Sequence, residues 1–154
     1  MGVRIEVIDR SSNGVPRIAT VGSAGLDLRA FVADDIIVSP LERVLIGTGL
    51  YMAIPAGYEG QVRSRSGLSY KNGIIVLNAP GTIDSDYRGE VKVLLINLSN
   101  DDFTVHNGDR IAQMVFSSYV VPEFEIVDEL PCSDRGRGGF GSTGISQMMS
   151  YSEF

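Results

Sequence analysis

The chain has 154 residues, one domain's worth and enough for a real core. Its residues are 44% apolar and 21% charged, an ordinary soluble mixture, and 18 glycines favour a turn-rich β architecture over a helix bundle. A net charge of −6 excludes nucleic acid or an anionic membrane as a partner held by global attraction, so a phosphate-bearing ligand needs a local cluster of Arg, Lys and backbone N–H groups, with a metal cation offsetting charge.

The opening residues MGVRIE carry no signal-peptide apolar region, and Glu6 stands where a myristoylation signal wants Ser or Thr. No apolar run reaches membrane length. A soluble intracellular protein, cytoplasmic or nuclear, is the expectation.

Ile5 and Val7 begin an alternating edge strand that Ser11–Gly14 ends. In AGLDLRA, residues 24–30, Leu26 and Leu28 share one face while Gly25, Asp27 and Arg29 share the other. That reads as a half-buried strand, with Asp27 either facing solvent or aimed into a site. Ile36–Val38 is a short strand stopped at Ser39–Pro40. Val44–Ile54 is a long one, and its Gly47 and Gly49 suggest a bulge or close packing. After the turn Pro55–Tyr58, residues Glu59–Arg65 are extended again.

Arg65, Ser66, Gly67 and Leu68 allow two readings. Amides, a hydroxyl and a guanidinium facing one point suit a phosphate. Alternatively Ser66 caps a single helical turn over Leu68–Lys71 that Asn72–Gly73 ends. Both readings are compatible.

Ile74–Leu77 is a core strand leading into NAPGTIDSDYRGEV, residues 78–91. Here Pro80 and Gly81 break the chain, Thr82–Asp84 return extended, and Ser85–Gly89 turn again. Such a hairpin is either a plain turn or a rigid frame presenting backbone donors and acceptors beside one carboxylate and one aromatic ring. The second arrangement suits a site that reads the edge of a flat polar ring and keeps a base near a reacting centre.

Glu90–Leu98 leaves as a long strand. FTVH, residues 103–106, then Asn107–Gly108, then DRIAQMVF, residues 109–116, predict a hairpin, with RIAQMV a strand rather than a helix. Gln113 within that strand is either a core amide satisfied by backbone or a donor to a ligand. His106 is the sole histidine, which argues against a zinc site or a Ser-His triad. Glu123–Leu130 is the last expected strand, and Cys132, the one cysteine, excludes an intrachain disulfide. From residue 133, SDRGRGGFGSTG is too rich in Gly to bury a core and reads as a mobile flap or a disordered basic tail. Residues 145–154 carry no functional signal. Ten or eleven strands, no repeat and at most one helical turn predict an all-β sandwich or jelly roll over residues 1–132, with a flexible arm over 133–154.

Five stretches now stand in order: AGLDLRA, RSGLS, NAPGTIDSDYRGEV, GDRIAQMVF and RGRGGFGSTG. Together, over residues 24–144, they resemble the five motifs of the trimeric dUTP pyrophosphatases, or dUTPases. Each motif alone is weak; five in order is specific.

The resemblance implies a distorted jelly-roll homotrimer with sites at subunit interfaces, Mg²⁺ as cofactor, and hydrolysis of dUTP to dUMP and pyrophosphate. It implies that Asp84 is the catalytic carboxylate, that Asn78 and the backbone of Gly81, Thr82, Ile83 and Asp84 read uracil, and that Tyr87 packs under the deoxyribose. Arg65, Ser66, Gly67 and Gln113 match phosphate contacts from a neighbouring subunit, and Lys92 a further substrate-lining position. In the arm, Phe140 matches a ring stacking on uracil, and Arg135, Gly141, Ser142 and Thr143 match triphosphate contacts. Asp27 matches an acid that acts on the metal through bound water. The dCTP deaminases resemble the same fold; against them, Glu90 is the only carboxylate following the hairpin that suits deamination.

Overall fold

The structure, a computed structural model, describes residues 2–139. The chain divides into two units, Met1–Val121 and Pro122–Phe154. The first holds ten strands and one helix: β1 Glu6–Asp9, β2 Leu26–Arg29, β3 Ile36–Val38, β4 Arg43–Ala53, β5 Tyr58–Arg63, α1 Ser66–Asn72, β6 Ile74–Val76, β7 Gly81–Ile83, β8 Glu90–Asn97, β9 Phe103–Val105 and β10 Arg110–Ser118.

All pairings are antiparallel. One sheet has the order β1-β4-β8-β6, a second β2-β10-β5-β7, and β3 with β9 form a two-stranded third. The alternation along each strand decides what is buried. Val91, Val93 and Leu95 of β8 are wholly inside, while Lys92 between them is exposed. Ile46, Leu50 and Met52 of β4 meet Leu28, Val62, Ala112 and Met114 of the second sheet in one apolar core. That is the all-β sandwich expected.

Among the described residues, the two buried polar side chains are both satisfied. Thr48 donates to Val91 O at 2.6 Å, and the Asn97 amide donates to Val38 O and Asp101 O, each at 2.8 Å.

The bulge in β4 is real. Gly47 pairs with Lys92 and Tyr51 with Glu90, so Thr48, Gly49 and Leu50 stand against Val91 alone. Gly49 has φ 71°, the left-handed region that favours glycine.

Three expectations need correction. The helix is α1, seven residues long; Arg65 is its N-cap, with no side-chain cap bond, and Ser66 is already its first residue. Gly73 ends it in the left-handed conformation, φ 66°, its N–H donating to Ser69 O at 3.0 Å. The Asn107–Gly108 turn forms, but the strands beside it do not pair with each other. β9 pairs with β3, and β10 with β2 and β5. The turn's polar groups bond Ala30 instead: Gly108 N donates to Ala30 O and Ala30 N to Asp109 O, both at 2.8 Å. The turn is therefore a corner between sheets. Finally, Glu123–Leu130 forms no strand. Its alternating Phe124 and Ile126 give it the propensity, but propensity makes a strand only against a partner edge.

The second unit carries no helix or strand among its described residues. Its Gly-rich part turns at residues 133–138, where Arg135 Nε donates to Gly138 O at 2.8 Å.

Candidate active site

The hairpin starts from sequence chemistry. The Ala79–Pro80 peptide bond is cis, and Ala79 N donates to Val76 O at 3.3 Å. Gly81 is buried because the Asn78 amide lies over it: a Cβ at 81 would sit 3.1 Å from Asn78 Nδ2 and 3.4 Å from Val62 Cβ. β7 then pairs with β5 through Gly60↔Ile83, Gln61↔Thr82 and Val62↔Gly81. It is the last strand of its sheet, so its outward N–H and C=O groups have no neighbouring strand among the described residues. A firmly paired edge of that kind can recognise the polar rim of a base by backbone hydrogen bonds.

Past β7 the chain turns on itself. Tyr87 N donates to Asp84 O at 3.2 Å, and Arg88 Nη1 donates to Ser85 O at 2.7 Å and Tyr87 O at 2.8 Å. Asp84 is exposed at the head of this turn, and none of the ion pairs among the described residues uses it. A cavity of about 420 Å³ opens beside it, lined by Thr82, Ile83, Asp84, Tyr87 and Lys92 of the expected set, together with Leu45 and Glu90.

Glu90 organises the cavity's far wall. Its Oε1 accepts from Gly49 N at 2.9 Å, its Oε2 lies 3.7 Å from Lys92 Nζ, and its backbone O accepts from the Tyr87 hydroxyl at 3.0 Å. The carboxylate reaches the bulge only because residue 47 has no side chain; a Cβ there would be 2.7 Å from Oε1. From the sequence, Glu90 stands only as a possible deamination group. Its place at the close of the hairpin motif was the available signal. Leu45 gave none, being one more apolar residue in an alternating strand.

A second cluster lies on β2, β10 and the start of α1. Asp27 Oδ1 accepts from Arg65 Nε at 2.8 Å, and Oδ2 accepts from Arg110 Nη1 at 3.3 Å. Arg65 Nη1 also donates to Arg110 O at 3.0 Å. Gln113 pairs in register with both Asp27 and Arg63. Its Nε2 donates to Ser64 O at 2.9 Å, and its Oε1 fills the space a side chain at Gly25 would need. One hydrogen of the amide is thus taken by the backbone. Ser66 and Gly67 are exposed at the first turn of α1.

The cavity beside Asp84 takes no residue of this second cluster, and the cavity lined by Asp27 and Arg110 takes none of the hairpin. Within one chain, Asp27, Arg65 and Gln113 form one group, and Asn78, Gly81–Asp84, Tyr87 and Lys92 another. Arg135 belongs to the second unit, and Phe140, Gly141, Ser142 and Thr143 lie outside the described residues.

Among the described residues, no three or more His, Cys, Asp or Glu side chains are placed to hold a metal. Both Asp27 oxygens already accept from a guanidinium, which leaves them lone pairs for a water but not the open face a direct cation ligand needs. His106 stands elsewhere, its Nδ1 2.9 Å from Asp35 Oδ1; that hydrogen bond, then the Asp35 charge, raise its pKa above 6.5 against an opposing desolvation, with a lesser contribution from the Asp109 charge.

A family model described as dUTPase matches residues 12–144. A deoxyuridine 5'-triphosphate nucleotidohydrolase of Finegoldia magna is 52% identical over 142 residues, 92% of this chain and 99% of that protein. The protein of the same name from Brucella melitensis is 58% identical over 134 residues, 86% of this chain and 85% of its own. Among solved structures, the Staphylococcus bacteriophage 80alpha dUTPase with dUpNHpp superposes with a TM-score of 0.83 at 27% identity, over 92% of this chain and 99% of that one. A mutant dUTPase of phage phi11 of S. aureus, described with a structural Mg(II) ion, shares the fold with a TM-score of 0.75 at 24% identity, over 84% and 99% of the two chains.

Proposed function

Because the chain belongs to the dUTPase family, we propose that it hydrolyses dUTP to dUMP and pyrophosphate. One observation carries the assignment of roles: Thr82, Ile83, Asp84, Tyr87 and Lys92 line a single cavity at an exposed sheet edge.

Asn78 and the outer edge of β7 read the uracil rim. The ladder to β5 makes that edge too rigid to make room for a 5-methyl group, so thymine is excluded sterically. Cytosine reverses donor and acceptor at the same rim and leaves buried groups unpaired, at about 1–3 kcal/mol each. Tyr87 packs against the sugar. Asp84, exposed and free of ion pairs among the described residues, orients a water and takes its proton. The water oxygen bonds to the α-phosphorus, the bond from that phosphorus to the bridging oxygen breaks, and pyrophosphate leaves.

Arg65, oriented by Asp27, together with Ser66, Gly67 and Gln113, serves the triphosphate. The cavity beside Asp84 is lined by the hairpin and the cavity at Asp27 by other residues, which fits a complete site that takes the two clusters from different copies of a homotrimer. Arg135, Phe140, Gly141, Ser142 and Thr143 of the arm close over the bound nucleotide. A bound Mg²⁺ would offset the triphosphate charge, and Asp27 is the residue of this cluster that would help hold it, through water.

Pyrophosphate release from a panel of dUTP, dTTP, dCTP and UTP tests the reading. Release from dUTP alone is expected; ammonia from dCTP would overturn it in favour of a deaminase.

A further inference from the structure

Position 89 is glycine, yet it is not among the residues with positive φ. Its φ therefore does not by itself call for glycine. What forbids a side chain is the ring of Tyr87: an added Cβ would overlap the Tyr87 hydroxyl and lie 2.5 Å from Cζ and 2.8 Å from Cε2. The outer half of the ring therefore rests against the bare Cα of Gly89. Its hydroxyl is tied 3.0 Å away to the carbonyl of the next residue, Glu90.

Floor and tether together make a seat. Tyr87 needs one, because it is 44% exposed and no core packing holds it. An unseated ring at such a site moves between rotamers at little cost. The same ring lines the cavity with Asp84 and Lys92.

We propose that Gly89 is a specificity-determining residue: by seating the Tyr87 ring it fixes how much room the cavity leaves at the sugar 2′ position, and so sets the preference for deoxyribose over ribose. The inference rests on the dUTP-hydrolysing reading. A tyrosine by itself is a wall that can swing aside for a 2′-hydroxyl; the seat keeps it in place.

The test compares dUTP with UTP in the wild type, Gly89→Ala, Tyr87→Ala and the double variant. Gly89→Ala should lower the dUTP-to-UTP ratio of kcat/KM by about 10- to 100-fold, the range over which apolar walls reject an added hydroxyl. In the Tyr87→Ala background the same change should alter the ratio by less than about twofold, because the ring it displaces is gone. A Gly89→Ala enzyme that discriminates as the wild type does overturns the inference and leaves the dUTP reading standing. An equal loss in the Tyr87→Ala background overturns it too. If Gly89→Ala fails to fold but the double variant folds, the clash with the ring is upheld; if neither folds, position 89 is a backbone requirement and the seat is wrong. Absence of pyrophosphate from dUTP with the wild type sinks both.

Discussion

Asp27 and Arg65 are 38 residues apart in the chain and 2.8 Å apart in the structure. Their side chains are only 29% and 27% exposed, so the pair is partly shielded from water. Arg110 reaches the other Asp27 oxygen at 3.3 Å. One carboxylate thus sets the direction of two guanidinium groups.

Asp27→Asn should leave both guanidinium groups beside a neutral amide and let Arg65 turn away. A misplacement of that size costs roughly 10- to 100-fold in rate. Steady-state kinetics should show the loss in kcat/KM for dUTP, while circular dichroism of the variant stays that of the wild type.

Asp84→Asn keeps the size of the side chain and removes the base. Turnover should drop by about 10²–10⁴-fold. Calorimetric titration with a non-hydrolysable dUTP analogue should still report binding. Loss of binding and turnover together would assign Asp84 to substrate recognition instead.

Gly47→Ala acts on stability. The new Cβ would stand 2.7 Å from Glu90 Oε1, so the carboxylate must swing out and abandon Gly49 N. Gly49 is buried, and an unsatisfied buried N–H costs about 1–3 kcal/mol. Urea denaturation should show the lowered midpoint. Lys92, 3.7 Å from the displaced Oε2, should lose its partner at the same time and raise KM for dUTP.

His106 gives a pH dependence of stability that is independent of catalysis. Its pKa is raised in the folded protein by Asp35, so the pair stabilises the fold below 6.5 and the contribution fades as pH rises through the folded-state value. Asp35→Asn should therefore lower the melting temperature at about pH 5.5 and leave it unchanged at about pH 8.5. The effect should be small and should shrink with added salt, since both groups are more than half exposed.

Much of this was legible in the sequence because it is written in short-range patterns. Alternation marked the strands, and paired glycines marked the bulge at Gly47–Gly49. What failed was long-range. Asn107–Gly108 specifies a turn but not what its flanking strands pair with, and Ala30 takes the bonds the opposite strand would have had. Ser66 resembles a helix cap because caps and first-turn residues share a composition; backbone angles, not residue type, put the cap at Arg65. In the site, the motif residues were legible and Glu90's task was not. Its side chain acts on the bulge of β4, 41 residues away at Gly49.

The division of working residues into two clusters reaches into genetics. A chain damaged at Asp84 still carries a sound Arg65, and a chain damaged at Arg65 still carries a sound Asp84. If, as proposed, a homotrimer joins the two clusters across its subunits, two inactive alleles of this gene, one from each class, should rescue one another when co-expressed, whereas two from the same class should not.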